Sequence, residues 1–129
     1  MTTTNEMVLV FDQPTNPLSL NQSNSWHWAK RKKHLDPWKL AIRIAYNKYM
    51  AREEFPVGPI TIKFTFTFAK NARRDPHNYI ATVKPCLDAL VQEGLIPDDT
   101  AEWVSVAEPE LRIANDNFCL VHISLRETK

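Results

Sequence analysis

The sequence has few cysteines, no long apolar segment and almost no net charge. Its 129 residues include two cysteines and carry a formal net charge of +1 at pH 7. No apolar run approaches the roughly 20 residues that a membrane-spanning helix needs. The first residues, Met1 to Glu6, are polar and lack the basic and apolar regions of a secretory signal. We therefore expect a cytoplasmic protein with no membrane segment.

The cysteine content excludes a framework of several disulfides. Cys86 falls in a predicted helix and Cys119 in a predicted strand. A reducing compartment favours two buried thiols over one disulfide. The remaining composition, 43% hydrophobic and 24% charged, is that of an ordinary globular protein, and the length fits a single domain over residues 1–129.

The low net charge conceals a marked asymmetry along the chain. Residues 29–52 contain eight basic residues and one acid, whereas residues 88–110 contain seven acids and no lysine or arginine. A basic face is sufficient for binding a phosphate backbone, so this pattern is compatible with nucleic-acid binding. It is equally compatible with two solvated faces that neutralise each other within the fold or across a dimer.

The spacing of apolar residues predicts an α+β domain in the order β-α-β-α-β-β. The clearest strand is Ile60 to Phe68, where large apolar residues alternate with threonine and lysine. Asp36-Pro37 is typical of a helix start and predicts a helix to about Arg52. A second helix is predicted from about Asn78 to Glu93, ended by Gly94. The other predicted strands are Met7–Phe11, Trp103–Ala107, Leu111–Ile113 and Phe118–Leu125.

Charged residues of the right type for phosphodiester hydrolysis concentrate between Arg73 and Asp99. Such hydrolysis requires neutralising a dianionic transition state and supplying a water, which Mg²⁺ held by carboxylates can do. A nearby lysine can stabilise developing charge, and arginines can hold the phosphate. The candidates are Asp75 and His77 after the long strand, Lys84 and Asp88 at helical spacing i and i+4, and the Asp98-Asp99 pair.

Each of these features alone also has an ordinary structural explanation. An Asp-Asp pair usually serves turns or caps, and Lys84 with Asp88 can form a helix surface pair. His77 is as readily a helix cap as a metal ligand. The predicted second helix spans roughly 24 Å, so Asp99 can meet Asp75 only if the connector after the helix folds back.

The combined pattern resembles the RusA family of Holliday junction resolvases. The resemblance is carried by Arg73-Arg74-Asp75-Pro76-His77-Asn78, then Lys84, then Leu87-Asp88-Ala89-Leu90, then Gly94-Leu95-Ile96-Pro97-Asp98-Asp99. It is weaker upstream, where Pro17-Leu18-Ser19-Leu20-Asn21 resembles the loop after the family's first strand. It implies a single small domain in which two helices cover a mixed sheet.

The resemblance also implies roles for individual residues. Asp75 and Asp99 match the metal-binding carboxylates and Lys84 the catalytic lysine; Asp98 is a neighbouring acid. His77 stands where the classical family member has a second aspartate, and is a further candidate ligand. About three extra residues separate Asn78 from Lys84. The predicted DNA contacts are Asn21, Lys30, Arg31, Lys32, Lys33, Arg73 and Arg74.

The implied activity is Mg²⁺-dependent cleavage of branched DNA, with Mn²⁺ as an alternative metal and no small-molecule cofactor. The implied setting is DNA recombination and repair in a bacterial or phage-infected cytoplasm. Symmetric cutting of a four-way junction suits a homodimer. Two alternatives remain open at this point: a protein that binds junctions without cutting them, and a metal-dependent nuclease for flap or linear DNA. Trp26 and Trp28 could stack on opened bases, but their composition and position favour core or dimer packing.

Overall fold

The computed structural model describes residues 2–3 and 5–126, so the polar start from Met1 to Glu6 lies partly outside it. Its central strand is β4 (Ile60–Phe68). The alternation along this strand directs Ile60, Ile62, Phe64 and Phe66 into the core, where each is fully buried. This confirms the strand predicted from period-two spacing.

Four further strands complete a mixed sheet around β4. The first is β2 (Glu6–Asp12), and the last, β7 (Phe118–Leu125), lies antiparallel between β2 and β4. On the other side of β4, β5 (Val104–Val106) and β6 (Glu110–Ile113) pair with it in parallel, one after the other. The strand order is therefore β2-β7-β4, followed by β5 and β6 along the same edge.

Two long helices, α2 (Trp28–Met50) and α3 (Ile80–Gln92), contact each other, and α2 also contacts β2. They cover one face of the sheet. Trp38 and Ile42, one turn apart on α2, and Leu87 on α3 are buried against it. The α+β architecture with a mixed sheet and two covering helices is thus confirmed. Among the described residues, no helix combines the length and apolar character that crossing a membrane requires.

The predicted start of the first long helix was wrong. Asp36-Pro37 lies inside α2, which begins at Trp28 with the imidazole Nδ1 of His27 accepting from the Ala29 amide at 3.3 Å. Asp36 instead accepts from the Lys32 ammonium one turn earlier, at 2.5 Å. That hydrogen bond is the main cause that lowers the pKa of the exposed Asp36 carboxyl.

Several short elements were not predicted. Helix α1 (Leu20–Ser25) lies within the expected loop before α2, capped by Ser19 and Gln22 in a capping box. A 3-10 helix (Pro76–Tyr79) precedes α3. Strands β1 (Thr2–Thr3) and β3 (Glu53–Glu54) pair in parallel as a separate two-stranded sheet.

Both cysteines are buried free thiols, as predicted. Cys86 lies in α3 and Cys119 in β7. Burial raises the pKa of the Cys86 thiol to about 12, and burial with the neighbouring Cys86 raises that of Cys119. These cysteines therefore pack as small apolar residues at neutral pH.

Candidate nucleic-acid and metal site

The segment after β4 is organised by its own aspartate and arginine. The carboxylate of Asp75 accepts a hydrogen bond from the backbone amide of His77 at 3.1 Å, which caps the 3-10 helix that begins at Pro76. The guanidinium of Arg74 lies 4.0 Å from the ring centre of Phe68 and donates to the carbonyl of Lys70 at 2.9 Å. Arg74 is thus folded against the end of β4, while its neighbour Arg73 is exposed.

This geometry removes one of the two explanations given for His77, the role of a helix cap. The cap of the 3-10 helix is Asp75, not His77. The imidazole of His77 makes no hydrogen bond or ion pair within the described part of the chain, and its side chain is exposed. His77 is therefore available as a ligand, although nothing in the structure assigns it that role.

Lys84 and Asp88 are exposed on α3. The helix surface pair expected from their i, i+4 spacing is not formed, since no ion pair joins them, and neither is bonded to another of the described residues. Lys84 thus projects an unpaired ammonium into solvent, close in sequence to the Asp75–His77 turn. The buried side of the same helix is formed by Val83, Cys86 and Leu87.

Asp98 and Asp99 lie in the turn after α3. Gly94 adopts a φ of +96°, a backbone conformation suited to glycine, and so allows the chain to leave the helix. Leu95 and Ile96 then return into the core. The carboxylate of Asp98 accepts from the Asp99 amide at 2.8 Å, so Asp98 serves the turn, and the exposed Asp99 carboxylate has no described partner.

The four predicted metal ligands, Asp75, His77, Asp98 and Asp99, do not form a site of three or more ligands. Among residues 2–3 and 5–126, no group of three or more histidine, cysteine, aspartate or glutamate side chains is arranged to hold a metal ion. Asp75 and His77 are therefore not joined by Asp98 or Asp99 in a three-ligand site. The donor chemistry of carboxylate oxygens suits Mg²⁺, which usually binds through one or two carboxylates and keeps several waters.

The basic segment occupies the first turns of α2. Lys32 is engaged with Asp36, and Arg31 donates to the carbonyl of Ser23 at 3.0 Å. Lys30 lies 4.2 Å above the ring centre of Trp26, and Lys33 is exposed with no ion pair among the described residues. Of the predicted DNA contacts on this segment, Lys30 and Lys33 are thus the most readily available to a phosphate.

A buried threonine, missed in the sequence, brings the N-terminal loop to the second helix. The hydroxyl of Thr82 accepts from the Leu18 amide at 2.7 Å and donates to the Leu18 carbonyl at 3.0 Å. Helix α1, which carries the exposed Asn21, consequently contacts both the 3-10 helix and α3. The only sequence signal for this pair of hydrogen bonds, here called the Thr82–Leu18 clamp, was a threonine on the apolar side of a predicted helix.

A small cleft beside the basic segment was also missed. It has a volume of about 270 Å³. Its lining residues are Thr15, Trp26, Lys30, Lys33 and His34. The Nε2 of His34 lies 2.6 Å from the Asn16 carbonyl, and the Trp38 indole donates to Thr15 at 2.8 Å. These bonds attach the loop before α1 to α2, so half-buried Trp26 belongs to the surface of α2 rather than to the main core.

A second cleft lies at the carboxyl ends of β4 and β6, beside the Arg74 turn. Its volume is about 390 Å³. Arg74 and Pro76 form one wall, and Pro109 and Leu111 belong to the other. Ligands commonly bind at the carboxyl ends of parallel strands, but no described contact in this cleft distinguishes it as a binding site.

Comparison with known proteins found no family model that matches this chain and no matching curated protein.

Proposed function

We propose that the protein is a metal-dependent endodeoxyribonuclease that cuts branched DNA such as four-way junctions. The observation that carries the proposal is the position of α1. It contacts the 3-10 helix and α3, and it is tied to α2 by the bond from Arg31 to the Ser23 carbonyl. The basic start of α2 and the Asp75 turn therefore belong to one continuous surface, along which a phosphate backbone could run.

In this proposal the exposed groups divide into two tasks. Lys30 and Lys33, with Asn21 and Arg73, bind DNA phosphates and set its position. Asp75 and Asp99 hold the metal and Lys84 stabilises charge that develops on the phosphate. When bound, Mg²⁺ would supply Lewis-acid stabilisation and an activated water. The unpaired state of Asp99 and Lys84 supports these roles, because neither group has a structural partner in the described chain.

In this proposal Asp75 and Asp99 are the only two protein ligands and water completes the coordination of Mg²⁺, since the described residues form no three-ligand group. Two symmetric cuts across a four-way junction need two such sites, so the proposed active form is a homodimer.

The lack of a three-ligand group among the described residues also favours a second candidate, a protein that binds branched DNA without cutting it. This candidate uses the same basic surface and needs no metal. His77, in place of a carboxylate, fits it as well, since an imidazole contributes no negative charge toward holding Mg²⁺.

One experiment separates the two candidates. A labelled four-way junction and a linear duplex of the same arm sequence are incubated with the protein in Mg²⁺, Mn²⁺ or a chelator, and both binding and cutting are measured. The nuclease proposal expects paired nicks in the junction only when metal is present. Tight junction binding with no cutting in either metal would favour the second candidate, and cutting of the duplex or of a flap at an equal rate would point to the linear-substrate nuclease.

A further inference from the structure

The cleft of about 270 Å³ beside the basic segment, here called the Trp26 cleft, has walls that are fixed by hydrogen bonds. The Nε2 of His34 donates to the Asn16 carbonyl at 2.6 Å and lies 3.0 Å from the Thr15 hydroxyl. The Trp38 indole donates to the same hydroxyl at 2.8 Å. These bonds hold Thr15 and His34, two of the lining residues, in position and leave the space between the walls open.

The indole of Trp26 supplies a flat apolar wall. Its ring centre lies 5.2 Å from that of His34, with the two ring planes at 70°. Core packing, which the sequence favoured for this residue, is not observed: Trp26 is half-buried and belongs neither to the buried core cluster of the described residues nor to the side chains packed against it. The ring therefore has no assigned structural task in the main core.

A flexible, charged side chain lies over this ring. The ammonium of Lys30 is 4.2 Å from the ring centre, within the range of a cation–π contact. Lys30 is exposed and has no ion pair among the described residues. At an exposed site such a contact is weaker than the stacking of a base on an aromatic ring. A planar base could therefore replace the ammonium over the indole, and the ammonium could then bind the phosphate of the same nucleotide.

The charge and size of the cleft suit a single nucleotide. Lys33 also lines the cleft and is exposed without an ion pair in the described part of the chain, and no acidic residue lines it. Its volume lies below the roughly 300 to 1,000 Å³ of sites for drug-sized ligands, which matches a group as small as one base. An aromatic surface flanked by cations is the arrangement with which proteins bind single-stranded nucleic acids.

We propose that the Trp26 cleft binds one unpaired DNA base, stacked on Trp26, with the adjoining phosphates on Lys30 and Lys33. A base inside a duplex must first be unpaired and unstacked, and this costs least where the strand is already open. The cleft would therefore give the protein a preference for branched over linear DNA. This inference deepens the proposed function and rests on its DNA-binding surface, although it does not require cleavage.

The cleft is placed to act together with the Asp75 turn. Helix α1 ends at Trp26 and contacts the 3-10 helix that Asp75 caps. The six residues of α1 span about 9 Å, which corresponds to a few nucleotides at roughly 3.4 Å each along a strand. A strand whose base occupies the cleft could therefore pass the Asp75 turn within a few nucleotides.

Two short single-stranded oligonucleotides test the cleft without requiring junctions or cutting. One carries bases, and the other has the same phosphates with an abasic sugar at every position. In the presence of a chelator, the wild type should bind the strand with bases about tenfold more tightly. Trp26→Ala should reduce this ratio to near one and leave binding of the abasic strand unchanged. Trp26→Phe, which keeps an aromatic ring, should retain most of the ratio.

Two other variants separate stacking from phosphate binding. Trp28→Ala is the matched control and should keep the ratio, because Trp28 is 63% exposed and does not line the cleft. Lys33→Gln should weaken binding of both strands equally, since it removes a phosphate contact alone. Equal binding of both strands by the wild type would overturn the proposal. So would a ratio that Trp26→Ala leaves unchanged or that Trp28→Ala abolishes.

Tryptophan fluorescence tests the stacking directly and does not depend on the fold of Trp26→Ala. A base stacked on an indole quenches its emission, so the strand with bases should quench the wild type and Trp28→Phe, and the abasic strand should not. Trp26→Phe should bind the strand with bases but lose most of this quenching. If Trp26→Phe is quenched as strongly as the wild type, the base lies at another tryptophan and the proposal is wrong.

A duplex with one unpaired base and the fully paired duplex of the same sequence connect the cleft to the proposed function. The wild type and Trp28→Ala should bind the first about tenfold more tightly, and Trp26→Ala should bind the two equally. Junction cutting in Mg²⁺, measured on the same wild-type sample, keeps the two proposals apart. Cutting without a preference for the unpaired base would refute the cleft and retain the nuclease, whereas the preference without cutting would retain the cleft and refute the nuclease.

Discussion

At the scale of single residues, the buried amide of Gln13 shows how much of the fold depends on polar groups that the sequence pattern hides. Gln13 is 4% exposed, accepts from the Thr67 amide and donates to the Thr67 carbonyl, both at 2.9 Å. The Gln13 side chain thus bonds both backbone groups of Thr67, as a neighbouring strand would do at the end of β4. It lies just after the predicted strand Met7–Phe11, where the spacing of apolar residues does not predict burial of a polar side chain.

Gln13→Ala should therefore lower the free energy of unfolding by about 2 to 3 kcal/mol, since it leaves both Thr67 backbone groups unsatisfied. Urea denaturation measures the change. Asn24→Ala is the control, because Asn24 is exposed and has no described hydrogen bond, and it should change stability by less than about 0.5 kcal/mol. Equal effects for the two variants would mean that the amide of Gln13 contributes nothing to stability.

The raised pKa of Cys86 gives a second prediction at this scale. The folded value is about 12 against an ordinary 9.0, so the unfolded chain loses this proton first as pH rises. The stability contribution of the buried neutral thiol is fully present below pH 9 and is lost as pH rises toward 12.

Native protein should accordingly react slowly with a thiol reagent at pH 8, and denatured protein should react at both cysteines. Urea midpoints should fall between pH 9 and pH 11. Rapid labelling of native protein at pH 8 would show that Cys86 is more open to solvent than its complete burial indicates.

The double use of Asp75 makes the choice of substitution important. Its carboxylate caps the 3-10 helix, and an asparagine can accept the same bond from the His77 amide. Asp75→Asn should therefore keep the fold while removing the charge that a metal needs, whereas Asp75→Ala should also cost about 1 kcal/mol of stability.

We predict that Asp75→Asn and Asp99→Asn each abolish metal-dependent cutting of a four-way junction and leave binding equal or tighter. Junction cutting and gel retardation, measured on the same samples, check this. Asp116→Asn, a variant at an acid that pairs with Arg112, should cut normally. A fully active Asp75→Asn or Asp99→Asn would remove that residue from the proposed metal site.

At the scale of secondary-structure elements, the sequence predicted strands better than helix ends. Alternation in β4 is a property of neighbouring residues, so it can be read locally. The start of α2 depends on competition between caps that are nine residues apart. Asp36-Pro37 has the composition of a helix start, but the chain begins the helix at Trp28 with His27 as cap. The contacts of α1 and Trp26 with α2, which sequence spacing does not reveal, support the earlier turns.

Pro37 consequently sits at an unfavourable position, where it lacks the amide that would bond Lys33 one turn earlier. Proline inside a helix costs about 3 kcal/mol, partly offset by about 1 kcal/mol from its stiffer unfolded chain. Pro37→Ala should therefore stabilise the protein by about 2 kcal/mol in urea denaturation. Pro97→Ala, in the exposed turn after α3, should give no such gain. A destabilised Pro37→Ala would indicate that α2 needs its proline for packing.

Only part of the candidate site could be predicted from the sequence, because local spacing does not determine which distant segments meet. The residue types and their order follow from the sequence, and Asp75 does follow the long strand as expected. Whether Asp99 meets Asp75 depends on the path of the chain after Gly94, which local spacing does not determine. The clamp between Thr82 and Leu18 joins residues 64 positions apart, and no local signal specifies its partner.

At the scale of the whole molecule, the net charge of +1 is the sum of basic and acidic regions that are separated along the chain. Lys30 and Lys33 lie on the surface that α1 connects to the Asp75 turn, while Lys63 lies on the opposite, uncovered face of the sheet, 3.8 Å from Glu110. A lysine that binds a phosphate releases a condensed cation, so its removal alters the salt dependence of binding. A lysine elsewhere does not.

We predict that junction affinity falls steeply with salt, and that Lys33→Gln reduces the slope of log affinity against log salt by about one. Lys63→Gln should leave that slope unchanged, because its side chain is directed away from the proposed DNA surface. Fluorescence anisotropy at several salt concentrations, in the presence of a chelator, measures binding without any contribution from cutting. If Lys63→Gln lowers the slope and Lys33→Gln does not, DNA lies on the open face of the sheet, and the surface joining α2, α1 and the Asp75 turn has another use.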